Sequence, residues 1–248
     1  YVTDVTSGFA LLSVQGPRSR ALLAELTNAD LSNEAFPYLT AQEIDLHHAR
    51  ALAVRMSFVG ELGWELFVPT EFALDVYDRL VEAGDAHGLA HAGMATLEST
   101  RTEAGRLDYG LDMENSDSPL EAGLKFAVDL DKPGGFVGRD ALRIQYDQRP
   151  YTTRLVQFLL TDPEPLLHGE DPILLGGDVA GYIRSGAYGH TLGGAMGFGY
   201  VEHPDGVTAE QDATAAYEIV GAGERFPARA SLRSLYDPTN ERGRMRPT

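Results

Sequence analysis

The residues on either side of Pro150 follow different periodicities. Before it, strand-like runs alternate with stretches of helical spacing. After it, from "TTRLVQFLL" onward, short apolar runs are broken by Gly and Pro: "DPILLGG", "DVAGYIRSG", "AMGFGYVE" and "TAAYEIVGAGERFPARAS". Strands at that spacing point to a sandwich or barrel. The chain is therefore expected to be α+β, with an α+β domain over residues 1–149 and a small β-barrel over 150–248.

In the first part, "FALLSVQ" (9–15) predicts a strand. In "GPRSRALLAEL", Gly16 turns, Pro17 suits a first helical position, and Leu22, Leu23 and Leu26 form a stripe. "PTEFALDVYDRLVEAGDAHG" predicts a helix capped by Thr70 and stopped by Gly84, burying Phe72, Leu74, Val76, Leu80 and Val81. "GMATLESTRTEAG" predicts another helix, ended by Gly105. In "NSDSPLEAGLKFAV", Ser118, Pro119 and Glu121 have the spacing of a capping box. The closing "ERGRMR" is expected to be a flexible tail.

With 43% hydrophobic residues the chain can build real cores, and it has no cysteine, which removes disulfides and thiolate chemistry. The net charge of −17 argues against a nucleic-acid groove, since only the segment after Glu224, with six arginines, is clearly basic. No apolar run approaches bilayer length, so a soluble protein is expected, cytoplasmic or, in a eukaryote, of the mitochondrial matrix. His87 and His91 have the spacing of a metal pair, but no third ligand is evident and no metal is expected.

The stretch "MSFVGELGWELFV" (56–68) holds the only tryptophan and two glutamates in an apolar run. It predicts a hairpin with strands over 51–58 and 64–68. Leu52, Val54, Met56 and Phe58 alternate on one face, with Arg55 and Ser57 on the other. Gly60 and Gly63 suit positive φ, and Glu61 falls at the turn as a solvated residue. Glu65 falls mid-strand beside Phe67. On spacing alone it lies either on a solvated face or in a pocket, and the solvated face is the commoner outcome.

Taken together, this hairpin, "EAGRLDYGLDMENSDSPLEAGLKFAVDLDKPGGFVGRDAL", "AGYIRSGAYGHTLGGAMGFGYV" and the closing "DPTN" resemble the glycine cleavage T-protein family. The likeness is closest to the form found in dimethylglycine and sarcosine dehydrogenases and oxidases. It implies a tetrahydrofolate-binding, one-carbon-transfer module acting with a small methylated amine. The family's pterin-binding glutamate matches Glu65, with Phe67 beside it. Phe58 stands where the family often has a tyrosine, and a bulge is expected to bring it to the side of Glu65. Phe126 matches an aromatic that walls the pterin. The catalytic aspartate is expected upstream of Tyr1, so the first domain is expected to be partial, the chain to lack turnover alone, and its uncovered channel surface to favour association. FAD is expected only in a region before Tyr1, if the parent is a dehydrogenase. An arginine early in the "GMATLESTRTEAG" helix is usual in the family. Here Arg101 comes first and reads as structural. Arg184 could meet the folate's glutamate tail or one of the many acids. His190, on a barrel loop, could face that tail or solvent. The Gly-rich "GGAMGFG" reads as a tight packing turn, since no helix follows to bind phosphate. The parent is expected to be a dimethylglycine or sarcosine dehydrogenase-like flavoprotein or a glycine cleavage T-protein-like aminomethyltransferase; a folate-dependent O- or S-demethylase of the same superfamily and a non-catalytic interaction module are the alternatives.

Overall fold

A computed structural model describes residues 1–209 and 215–245. It divides into two compact units: residues 1–97 with 239–248, and residues 98–238.

In chain order, the first unit contains β1 (Phe9–Gln15), α1 (Ser19–Ala24), β2 (Ala41–Leu46), β3 (Ala49–Val54), β4 (Gly63–Pro69) and α2 (Ala73–His87). The strands form one antiparallel sheet in the order β1-β4-β3-β2. Trp64, Leu66 and Val68 alternate along β4 into one core with Leu22 and Leu23 of α1 and Val76 and Leu80 of α2. Both helices therefore cover the same face of the sheet.

Several local expectations change. Thr70 does not cap α2, because its hydroxyl donates to the Ser7 carbonyl at 2.8 Å and the helix starts at Ala73. The helix runs past Gly84 to a left-handed stop at Gly88 (φ 69). Gly84 is instead a contact position, since a methyl there would lie 2.5 Å from Leu89. Leu74 faces solvent. The tail is also ordered through Met245: Arg20 donates to the Met245 carbonyl at 3.0 Å, Asn33 to the Arg244 carbonyl at 3.2 Å, and the Met245 side chain packs on the core. Arg246 lies outside the described residues.

α3 (Met94–Glu103) leads into the second unit, which adds α4 (Arg139–Asp147) and strands β5 (Thr153–Leu160), β6 (Pro172–Leu175), β7 (Asp178–Gly189), β8 (Gly194–Glu202), β9 (Tyr217–Gly221) and β10 (Glu224–Ser231). These six strands close a barrel in the order β10-β5-β8-β7-β6-β9, as the second-half patterning predicts. The capping box forms as expected: the Ser118 N–H donates to the Glu121 carboxylate at 3.0 Å and the Glu121 N–H to the Ser118 hydroxyl at 3.1 Å. The helix does not grow, because Gly123 turns left-handed (φ 77) after one turn.

Of "GGAMGFG", only Gly193 is a turn residue (φ 78); the rest proves to be strand β8. Its glycines are bare so that strands can approach. A methyl at Gly197 would lie 2.4 Å from the Ser185 carbonyl, and one at Gly181, across the same ladder, 1.9 Å from the Tyr200 carbonyl. Both obstacles are backbone and cannot swing aside. Gly181→Ala is therefore expected to destabilise the barrel by about 1–3 kcal/mol, read as a lowered melting temperature. A melt indistinguishable from the parent would contradict this account of the β7–β8 contact.

Candidate functional site

Strand pairing decides which side chains share a face. Glu65 of β4 lies between Ser13 of β1 and Val54 of β3, and Phe67 lies between Leu11 and Leu52. Directly opposed residues project to the same side of a sheet. These six therefore form one patch, on the face opposite the helices. Leu11 is 54% and Leu52 40% exposed, with Glu65 half-buried between its neighbours. The register is strongly specified: a one-residue slip would bury Glu65 and turn the fully buried Trp64 to solvent. Trp64 anchors it edge-on to Phe36, with ring centroids 6.2 Å apart, and the Arg55 guanidinium lies 5.6 Å over its ring.

The hairpin differs from its sequence expectation in three ways. β3 stops at Val54, not at residue 58, and Met56–Leu62 form a loop. The apolar series Leu52, Val54 proves to be the open face, whereas Arg55 and Ser57 are buried, at 1% and 5% exposure. The expected bulge is absent: the β3–β4 pairing is regular through Val54–Glu65 and then ends. Phe58 is thus a half-buried loop residue. Gly60 takes positive φ (80°), but Gly63 does not. Glu61 is not simply solvated, since Arg242 of the tail approaches its carboxylate at 3.5 Å.

Glu65 has the chemistry of an acceptor held in reserve. No group among the described residues hydrogen-bonds or pairs with its carboxylate. Burial pushes its carboxyl above the ordinary range for glutamate. The surrounding floor is apolar, which strengthens any hydrogen bond formed there.

The second unit carries the other predicted residues. Phe126 lies in the short turn Lys125–Ala127 and is 87% exposed. Arg184 is the extra residue where the β7–β8 register shifts between Ile183 and Ser185, and that bulge aims it at Asp117 (3.1 Å) and Glu114 (3.5 Å). With Tyr182 and Tyr200 it borders a cleft of about 760 Å³. His190 stands edge-on to Tyr188, at 5.2 Å, on a loop whose Thr191 and Leu192 N–H groups donate to the Glu103 carboxylate at 2.7 and 2.9 Å. Arg101 is fully buried, as its structural reading requires, with Asp112 and Glu98 as partners. Among the described residues no group of three or more His, Cys, Asp or Glu could hold a metal, and no helix is long and apolar enough to cross a membrane.

Residues 1–132 match the family model described as the GCVT N-terminal domain, and residues 153–237 that of the glycine cleavage T-protein C-terminal barrel domain. The chain is 40% identical over 241 residues to a 4-methylaminobutanoate oxidase (formaldehyde-forming) of Paenarthrobacter nicotinovorans, covering 97% of this chain and 28% of that protein. It is 38% identical over 241 residues to the mitochondrial sarcosine dehydrogenase of Homo sapiens, covering 96% of this chain and 26% of that protein. The chain thus spans little more than a quarter of these relatives' length. The crystal structure of the glycine cleavage system aminomethyltransferase T from Bartonella henselae superposes with a TM-score of 0.77 at 22% identity, covering 96% of this chain and 61% of that one, a likeness of fold.

Proposed function

Because the chain belongs to the glycine cleavage T-protein family, we propose that it is the tetrahydrofolate-binding, one-carbon-transfer part of a larger protein of the dimethylglycine or sarcosine dehydrogenase type. The single observation that carries this reading is Glu65: an unpartnered, half-buried carboxylate in the middle of an open apolar face. A pterin ring presents an amino group and a ring N–H side by side, and a carboxylate accepts both. A flat ring also suits the apolar surface of Phe67, Leu11 and Leu52. The residues present therefore fit the ligand.

Bound tetrahydrofolate supplies a nitrogen nucleophile that takes up the one-carbon unit. The contribution of this chain is positional. Glu65 fixes the ring by its polar edge, Phe67 and Phe58 wall it, and the apolar floor keeps water from the ring face. In the second unit, taken by itself, Phe126, Arg184 and His190 are proposed as ligand-contact residues on the family likeness. Arg184 would exchange Asp117 for a ligand carboxylate. The oxidation that generates the one-carbon unit, and any flavin that performs it, belong in this reading to the rest of the larger protein.

Calorimetric titration of the full-length protein with tetrahydrofolate tests the reading. Saturable binding at one site per chain is expected. Failure to bind up to millimolar ligand would overturn it.

A further inference from the structure

We propose that Ser13 is a second polar contact of the Glu65 site, and that the pair recognises a ligand edge reading donor, donor, acceptor. The inference rests on the folate reading above and extends it to a residue on the neighbouring strand.

Ser13 is directly opposite Glu65 in the β1–β4 ladder, on the open face and exposed. Opposed residues hold their Cβ atoms about 4.5–5.5 Å apart, close enough for both side chains to reach one edge of the same ligand. No hydrogen bond joins Ser13 to Glu65.

The state of the Ser13 hydroxyl is set by Gln15. The Gln15 side-chain amide nitrogen donates to Ser13 Oγ at 3.1 Å and to the Met56 carbonyl at 3.3 Å. The Met56 carbonyl can only accept, so the atom facing it is the nitrogen, and the amide orientation follows. Ser13 Oγ is thereby used as an acceptor, and its proton has no acceptor among the described residues. That leaves an O–H free to donate into the face where Glu65 accepts.

Gly63 makes this arrangement possible. A methyl at that position would lie 2.0 Å from Gln15 Oε1. Any side chain there would evict the Gln15 amide and free Ser13 to turn. The Val14 backbone carbonyl would lie 2.6 Å from the same methyl, so Gly63 is required by the close approach of β1 and not by a left-handed turn.

A carboxylate beside a hydroxyl donor reads the pterin edge completely: the amino group and ring N–H go to Glu65, and the adjacent 4-oxo group accepts from Ser13. An analogue with an amino group at position 4 presents a donor there, loses the ring N–H beside it, and gives the Ser13 hydroxyl proton no 4-oxo acceptor.

The test titrates the full-length protein and its Ser13→Ala, Ser13→Thr and Glu65→Gln variants with tetrahydrofolate and with its 4-amino-4-deoxy analogue. Ser13→Ala is expected to weaken tetrahydrofolate about fivefold, the scale of one neutral hydrogen bond. It should leave the 4-amino analogue within about twofold, and Ser13→Thr, which keeps the hydroxyl, should restore tetrahydrofolate to within about twofold of the parent. An unchanged affinity for tetrahydrofolate in Ser13→Ala, or an equal loss for both ligands, overturns the assignment of Ser13. If Glu65→Gln still weakens binding in that case, the folate reading stands without it. If the parent binds neither ligand, both fall together.

Discussion

Replacing Glu65 by glutamine is expected to weaken tetrahydrofolate about 10- to 100-fold in the full-length protein, the effect of losing ~1.5–3 kcal/mol of charge-assisted hydrogen bonding. Glutamine keeps the shape and one acceptor oxygen, but sets an amide donor against a ligand donor. The same substitution should not destabilise the fold. Burial raises the Glu65 carboxyl, so the ionised form is the one the fold disfavours. Its contribution to stability is present below the unfolded pKa and lost as pH rises through the folded one. At neutral pH the neutral amide should therefore leave the melting temperature equal or higher. A loss of binding with unchanged or increased stability separates a binding residue from a packing residue.

The pH dependence of binding has the opposite sense. The acceptor must be ionised, so affinity should fall as pH is lowered. Because the carboxyl is raised in the free protein, the fall should begin above the ordinary glutamate range of about 4.3. Donors that lower the carboxyl on binding would make binding release a proton from Glu65 as pH approaches that range. Affinity that is flat in pH down to the acid limit of folding would count against Glu65 as the acceptor.

The largest effect on stability is expected at Asp112. Its carboxylate and the Arg101 guanidinium are both fully buried and meet at 2.5 Å. Asp112 also accepts from the Asp108 N–H at 2.7 Å and from the Ser185 hydroxyl. Glu98 takes two further Arg101 donors at 2.8 and 2.6 Å, and the Arg106 carbonyl takes another at 3.0 Å. Asp112→Ala would leave the buried Arg101 with Glu98 as its remaining carboxylate partner, and would leave the Ser185 hydroxyl and the Asp108 N–H unmatched. Breaking a buried pair from one side costs about 3–5 kcal/mol, which should lower the denaturant midpoint of the second unit strongly. Removing both fully buried charges, as in Arg101→Met with Asp112→Leu, should cost less than the sum of the two single changes, because neither is then left facing the loss of the other, and Glu98, which loses its arginine, is partly exposed. Strict additivity would argue that the two residues do not act as a pair.

Much of this architecture is written in local pattern. The period-two run Trp64, Leu66, Val68 states that Glu65 and Phe67 share the other face, and the structure agrees. The Gly- and Pro-broken apolar runs after Pro150 announce short antiparallel strands, and they close a barrel. Ser118 and Glu121 announce a reciprocal cap, and it forms. In each case the cause is within a few residues: a strand repeats every two positions, and a cap bridges three.

What only the tertiary structure decided depends on groups far apart in the chain. Alternation defines two faces of β3 but not which is covered. The apolar Leu52 and Val54 are left on the open face, while Arg55 is buried against Trp64, because α1 and α2 pack on the other side. Ser13 becomes a neighbour of Glu65 only through the β1–β4 register, 52 positions apart. Gly63 looks like a turn residue until Gln15 is seen filling the space its side chain would need. Arg184 is aimed by a bulge that exists only when β7 pairs with β8. The sequence by itself determined the class of the fold and the strand position of the key carboxylate. Which face is bare, and what stands next to that carboxylate, was settled by long-range pairing and by the volumes that packing left free.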